Sequence, residues 1–186
     1  MSNARNLADI VSGNFDVPLG ALDNVPPSND ASALTTGTLG TSRLPAGSVI
    51  QVVQAISSNY QSTSSTTPVG TGLTASITPQ SATNKILILI NASGAGTNAN
   101  TTAVEFSIYK DSASLFVFDR LCGYTNSGGS AYGVTSTTYL DTPSTTSTLT
   151  YELYYRKYSG TGNAYINNYA SGAASYSTIT LMEIAA

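Results

Sequence analysis

From residue 48 to the end, the chain alternates apolar and polar side chains over short segments, and no segment shows the spacing of an amphipathic helix. Leu73, Ala75 and Ile77, for example, alternate with hydroxyl side chains. Residues 85–90 are apolar at almost every position, which indicates a central strand covered on both sides. Gly, Ser, Asn and Pro separate these segments. The pattern therefore predicts an all-β fold.

The segments predict about nine strands, a number typical of a two-sheet sandwich. At this size a jelly-roll-like arrangement is the common solution, and we expect one here. The expected strands are Ser48–Ala55, Leu73–Ile77, Lys85–Ile90, Ala103–Lys110, Leu115–Phe118, Val134–Leu140, Thr148–Lys157, Ala164–Asn167 and Ser177–Ile184.

Residues 1–47 differ from the rest because they hold Pro18, Pro26, Pro27 and Pro45 and show no continuous period. Such a stretch cannot form its own core, so we expect an extended arm and linker before a head over residues 48–186. Apolar side chains spaced along the arm favour docking on a partner over disorder. The side chains expected to dock are Leu7, Ile10, Val11, Phe15, Leu19 and Leu22.

The composition excludes several kinds of chemistry. The chain has no His and a single cysteine, Cys122, which excludes histidine-based triads, histidine-ligated metals, multi-thiolate metal sites and internal disulfides. We therefore expect no cofactor, and we interpret Cys122 as a buried structural thiol. Seven cations, a net charge of −3 and a pI near 4.6 argue against binding to nucleic acid. No apolar run is long enough for a membrane helix, so no membrane insertion is expected.

Carboxylates are the remaining catalytic candidates, since a glycosidase needs only two of them at a defined separation. Asp111, Asp119 and Asp141 lie at expected turns, where capping of the backbone explains them. Glu105 and Glu152 lie within strands, and ion pairs with Lys85, Arg120, Arg156 or Lys157 are the plainer interpretation. We therefore expect no enzymatic activity.

Two strands carry apolar side chains on both sides, which favours a homotrimer around a threefold axis. Ile179 and Leu181 face one way in the last strand, and Met182 and Ile184 face the other way. The alternative is a loop that covers the outer side. The residues expected at the trimer interface are Tyr151, Leu153, Tyr155, Met182 and Ile184.

Tyrosine is the main aromatic residue, with 12 Tyr against 4 Phe and no Trp. A tyrosine offers an apolar ring and a hydroxyl to a sugar, so loop tyrosines beside asparagines suit glycan recognition. The alternative is that the tyrosines pack within the sandwich and between subunits. The candidate receptor or glycan contacts are Tyr124, Asn126, Tyr132, Tyr165, Asn167 and Tyr169.

Residues 32–45, with the sequence SALTTGTLGTSRLP, resemble a segment of tail-fibre and spike proteins of tailed bacteriophages. Residues 72–79, 85–88, 139–143 and 179–184 resemble small trimeric jelly rolls of phage virions, particularly those of marine and cyanobacterial viruses. Those jelly rolls are related in shape to complement-type and tumour-necrosis-factor heads. The matching motifs are structural and identify no receptor.

The resemblance implies a non-enzymatic structural protein at the virion surface, on the tail or on the capsid. It would be a short trimeric fibre or spike whose arm binds other virion proteins and whose head attaches to the host surface. The within-class alternative is a capsid decoration or cement protein, and a glycan depolymerase is the alternative from another class. The first residues lack the apolar stretch of a secretory signal, which predicts synthesis in the host cytoplasm.

Overall fold

The computed structural model describes residues 43–126, 128–168 and 175–186, which form ten β-strands. None of the described residues belongs to a helix that is long and apolar enough to cross a membrane. The strands are β1 (Val49–Ser57), β2 (Gln61–Thr63), β3 (Val69–Ile77), β4 (Lys85–Thr97), β5 (Ala103–Lys110), β6 (Ala113–Cys122), β7 (Ala131–Asp141), β8 (Leu149–Ser159), β9 (Ala164–Ile166) and β10 (Ser177–Ile184).

The strands form a six-stranded and a four-stranded antiparallel sheet. The main body of the six-stranded sheet runs β1-β10-β4-β7, and the four-stranded sheet runs β3-β8-β5-β6. Apart from the short strands β2 and β9, successive strands alternate between the two sheets except at the β5–β6 hairpin, and the resulting strand order is that of a jelly roll. The prediction of an all-β, jelly-roll-like sandwich is confirmed.

Strand β4 organises the six-stranded sheet because it is long enough to serve three neighbours. One edge pairs with β7 along nearly its whole length, and the other pairs with β10 at residues 85–91 and with β9 at residues 96–97. The ladder with β7 shifts register beside Gly94, which has a φ of +57°. A Cβ atom at this glycine would collide with the backbone of Asn168, so the bend requires glycine.

The core lies between the sheets and consists of inward-facing side chains from both. Phe106 stacks between Phe118 and Tyr155, with ring centroids 6.2 Å and 6.1 Å away. Burying each such side chain contributes about 1.5–3 kcal/mol. The largest fully buried side chains are Tyr151, Tyr155, Phe106, Leu73, Ile77, Ile86, Ile88, Ile108, Leu153, Ile166, Ile179 and Leu181.

The strands β5 and β10 begin and end where the sequence predicts them. Strands β4 and β6 are longer than expected, because small or irregularly spaced residues still pair with their neighbours. Strand β2 was not predicted, since three polar residues show no measurable alternation. The predicted docking side chains Leu7, Ile10, Val11, Phe15, Leu19 and Leu22 lie outside the described residues, so their role stays a prediction.

Candidate interaction surfaces

The outer side of the six-stranded sheet carries a row of aliphatic side chains. Alternation along β4 points Ile86 and Ile88 into the core and therefore turns Leu87 outward. Register places Leu87 between Met182 of β10 and Leu140 of β7, and Met182 pairs in turn with Val52 of β1. Val52 is 54% exposed and Leu140 is 48% exposed. We call Val52, Met182, Leu87 and Leu140 the aliphatic row.

The surface beside the aliphatic row is uncharged and carries mostly polar side chains. The next row consists of Gln54, Thr180, Leu89 and Thr138, and it borders a shallow depression of about 510 Å³. The row after that contains Ile56, Thr178, Asn91 and Ser136. Within β1, β4, β7 and β10, all of them described in full, the one charged side chain at an outward position is Lys85, at the end of the sheet.

The structure agrees with the sequence on the outward direction of Met182 and Ile184, and their place at an interface between copies stays a prediction. For Tyr151, Leu153 and Tyr155 the expectation is wrong, because these side chains are buried between the two sheets. The Tyr151 hydroxyl donates a 2.7 Å hydrogen bond to Asp141 Oδ2. Strand β8 is thus covered by the opposite sheet of the same chain and needs no second copy there.

The outer side of the four-stranded sheet carries a cluster of charged and aromatic side chains around Glu105. Arg156 holds the Glu105 carboxylate through two bonds, Nε to Oε1 at 2.8 Å and Nη2 to Oε2 at 2.9 Å. Arg120 donates from Nε to Oε2 at 3.1 Å. Glu105 is buried beneath the two arginines, while the Arg120 side chain is 58% exposed. This hydrogen bonding to Glu105 raises the pKa of Arg156 above its ordinary value, so its charge is permanent.

Tyr158 adjoins both arginines. Its ring centroid lies 5.8 Å from Cζ of Arg120 and 5.5 Å from Cζ of Arg156, within the range of cation–π attraction. The Tyr158 side chain is 44% exposed. On the same side of the sheet, Tyr109 and Tyr154 stack with centroids 3.8 Å apart. We call Glu105, Arg120, Arg156 and Tyr158 the arginine cluster.

The predicted glycan contacts differ in their exposure. Tyr124 and Asn126 are exposed, and Tyr132 is exposed enough to contact a ligand. Tyr165 is buried beneath Tyr60 and Tyr132, whose ring centroids lie 5.9 Å and 5.7 Å away. Sequence spacing does not group Tyr60 with them, since only the pairing of β2 with β9 brings it close.

Of the other two predicted glycan contacts, Asn167 is buried and Tyr169 lies outside the described residues. Asn167 is buried, its Oδ1 accepts a hydrogen bond from Ser177 Oγ at 2.6 Å, and its Nδ2 donates to Asn59 O at 3.0 Å. Its amide is therefore occupied within the chain, and the expectation that it contacts a sugar is wrong. Tyr169 lies in the undescribed segment 169–174.

The described carboxylates all have partners within the chain. Glu105 has the expected ion pairs, whereas Asp119 lies within β6 and not at the expected turn, although it accepts from Leu121 N at 2.9 Å. Asp111 lies at a turn, as expected, and its Oδ1 accepts from Thr150 N. The turn-capping expectation is wrong for Asp141, which ends β7 and is paired with Lys110 Nζ at 2.9 Å. Glu152 Oε1 accepts from Gly72 N at 3.2 Å.

Glu183 and Cys122 are the remaining ionisable groups of chemical interest. Glu183 is buried and accepts from Gln51 Nε2 at 2.6 Å, Gln80 N at 2.7 Å and Asn84 Nδ2 at 2.6 Å. Cys122 is partly buried, and burial together with the charge of Asp119 raises its pKa to about 12. The thiol therefore stays protonated and unreactive near neutral pH. Within the described residues, no group of three or more His, Cys, Asp or Glu side chains is placed to hold a metal ion.

No protein-family model and no curated protein matches this sequence. Among solved structures, a dimeric latent PorU from Porphyromonas gingivalis aligns with 76% of this chain at 12% identity and a TM-score of 0.29. The aligned part spans 14% of the PorU chain. A likeness at that TM-score carries no argument about fold or function.

Proposed function

We propose that this chain is a non-enzymatic structural protein of a tailed-phage virion, a short fibre or spike that assembles as a homotrimer. The outer side of the six-stranded sheet forms the contact between copies, the N-terminal arm binds the particle, and the opposite side of the head faces outward for host attachment. The observation that carries the self-association is the aliphatic row Val52, Met182, Leu87 and Leu140.

A second copy of this chain is the occupant that this surface suits best. Equivalent residues from different copies meet near a symmetry axis, so a charged side chain there would face the same charged side chain of another copy and repel it. At the centre of the sheet, the outward side chains are aliphatic or uncharged and polar, and Lys85 lies at the end of the sheet. Burial of the row removes apolar surface from water at about 25 cal/mol per Å².

The phage assignment rests on the sequence resemblance of residues 32–45 and of the strand segments named above. The uncharged, hydroxyl-rich surface supports the same assignment, because it suits a protein that works outside cells. Three heads on one axis, repeated over a particle, convert weak single contacts with a cell surface into effective adsorption.

Sedimentation velocity on the full chain tests the self-association. We expect a trimer at micromolar concentration, and we expect Val52→Glu and Leu140→Glu to shift it toward the monomer, because each places a charge in the shared surface. Both positions are half exposed in the single chain, so the fold should tolerate the change. Leu121→Glu is the matched control, since Leu121 is 64% exposed on β6 of the other sheet.

A wild-type monomer at that concentration would overturn the proposal. So would an equal effect of all three substitutions. Circular dichroism of each variant separates loss of assembly from loss of fold.

Localising the chain on an intact particle tests the virion role and separates its two forms. Density at the tail supports the fibre or spike, density across capsomers supports the decoration protein, and absence from purified particles overturns both.

Substituting Phe15→Asp and Leu19→Asp in the full chain should prevent incorporation if the arm docks. Normal incorporation of that variant would contradict the docking role.

A further inference from the structure

The arginine cluster combines an exposed positive charge with an exposed aromatic ring on an acidic protein. Two guanidinium groups face one carboxylate, which leaves one net positive charge in the cluster. The whole chain has a net charge of −3 and only seven Lys and Arg side chains. The cluster is therefore a local exception to the charge of the molecule.

Arg156 alone satisfies the buried Glu105. Its two parallel hydrogen bonds, at 2.8 Å and 2.9 Å, form the fork geometry in which one arginine neutralises one carboxylate. Arg120 adds a single, longer bond of 3.1 Å to an oxygen that Arg156 already engages, and most of its side chain remains exposed. Arg120 is thus held in place by Glu105 without being needed for neutralisation.

Fixed arginine side chains recognise carboxylate and phosphate groups through paired donors. An exposed tyrosine ring beside them offers an apolar surface to the C–H groups of a sugar. Among the ion pairs of the described residues, Glu105 is the one carboxylate paired with Arg120, and Glu152 and Asp119 accept hydrogen bonds from Gly72 N, Leu121 N and Thr135 Oγ1 instead.

We propose that Arg120, Arg156 and Tyr158 form a binding site for the anionic group of an acidic cell-surface polysaccharide. This inference deepens the proposed host attachment and rests on it. The site lies on the outer side of the four-stranded sheet, opposite the side assigned to self-association, so a trimer leaves it accessible. Arg120 contacts the anion, Arg156 supplies the fixed second charge, and Tyr158 contacts the adjoining sugar ring.

Binding of the full-length protein to three immobilised polysaccharides tests the site. Polygalacturonate presents carboxylates, phosphorylated dextran presents phosphates, and plain dextran presents neither. We expect binding to at least one acidic polymer, and the stronger of the two identifies the recognised anion. Binding to neither acidic polymer, or equal binding to plain dextran, would overturn the proposal.

Two variants decide whether the cluster is responsible. Arg120→Ala should weaken binding about tenfold, the loss of one charged hydrogen-bonded contact. Lys85→Ala is the matched control, because it removes the same charge from the other sheet. Equal losses in both variants would show that only total charge matters and would overturn the site. Arg120→Lys keeps the charge but not the fork, so it should bind less well than wild type.

Sedimentation of the same variants distinguishes this proposal from the function on which it rests. A trimer that fails to bind either acidic polymer refutes the site and leaves the structural role standing. A monomer that binds through Arg120 refutes the trimer and leaves the site standing.

Discussion

The outer sides of the two sheets differ in the partners that their side chains require. On the six-stranded sheet the centre is aliphatic and hydroxyl-bearing, with Leu87 and Met182 side by side and no ion pair. On the four-stranded sheet the outward side chains of Glu105, Arg120 and Arg156 satisfy one another within the chain. The first surface gains from being covered by another molecule, and the second is already stable in water. Identical strand alternation therefore supports two different uses.

The largest expected effect on stability is that of a substitution in the core, compared with one on an outer side of the sandwich. Leu153→Ala should lower the free energy of unfolding by about 2–5 kcal/mol, because Leu153 is fully buried and its loss leaves a cavity. Leu140→Ala, on the aliphatic row, should change the stability of the single chain by less than about 1 kcal/mol. Urea denaturation of both in the Val52→Glu background measures the difference without the contribution of assembly. Equal losses would contradict the placement of Leu153 in the core.

That pair also shows what the sequence can and cannot predict. Alternation correctly separates Tyr151, Leu153 and Tyr155 from Glu152 and Tyr154. It cannot say which molecule covers the apolar side, because burial under the opposite sheet and burial under another copy produce the same pattern. Strand β8 is central in its sheet and faces the core, so its apolar side belongs to the chain itself.

The residues of the arginine cluster and of the aliphatic row are brought together by the pairing register between strands. The pattern of side chains along a single strand does not contain that information. Glu105 meets Arg120 and Arg156, which lie 15 and 51 residues away in the sequence. The sequence predicted such ion pairs as a possibility among four cations, and only the pairing of β5 with β6 and β8 selects these two. Val52 and Leu140 are not singled out by sequence, because only the pairing of β1, β10, β4 and β7 brings them into one row.

The inner side of the six-stranded sheet provides the next largest effect. Glu183→Gln should cost about 1–3 kcal/mol, since the new amide turns one acceptor into a donor against Gln51, Gln80 and Asn84. Burial acts to raise the pKa of Glu183, but the hydrogen bonds from Asn84, Gln51, Gln80 and Ser81 outweigh it and lower the pKa.

The pH dependence of that effect has a definite sign. Because the pKa of Glu183 is lowered in the folded state, the carboxylate stabilises the fold fully above its unfolded pKa of about 4.3. That stabilisation is lost as the pH falls through the folded pKa. Wild type should therefore lose stability below about pH 5 more steeply than Glu183→Gln. Thermal melts of both proteins across that range measure the slopes, and parallel curves would contradict the role of the carboxylate.

An effect of similar size distinguishes the two arginines of the cluster. Arg156→Ala should cost about 1–3 kcal/mol, because it leaves the buried Glu105 with one bond from Arg120. Arg120→Ala should cost less than about 1 kcal/mol, as is usual for an exposed ion pair. Urea denaturation of the two variants gives both values. A larger loss for Arg120→Ala would mean that Arg120 serves the fold, and its availability to a ligand would then be in doubt.

The smallest expected effect is that of salt on self-association, and it contrasts most directly with the other side of the head. Raising NaCl from about 0.05 M to about 0.5 M screens exposed charges strongly. The aliphatic row contains no charge, so the dissociation constant of the trimer should change by less than about twofold. Any change should be toward tighter assembly, because added salt favours the burial of apolar surface. Binding of an acidic polysaccharide at the arginine cluster should weaken several-fold over the same range. Sedimentation and polysaccharide binding on one protein sample measure both. A trimer that dissociates with added salt would show that charged groups outside the aliphatic row hold the copies together, and the two outer surfaces would then no longer differ in the way that their side chains indicate.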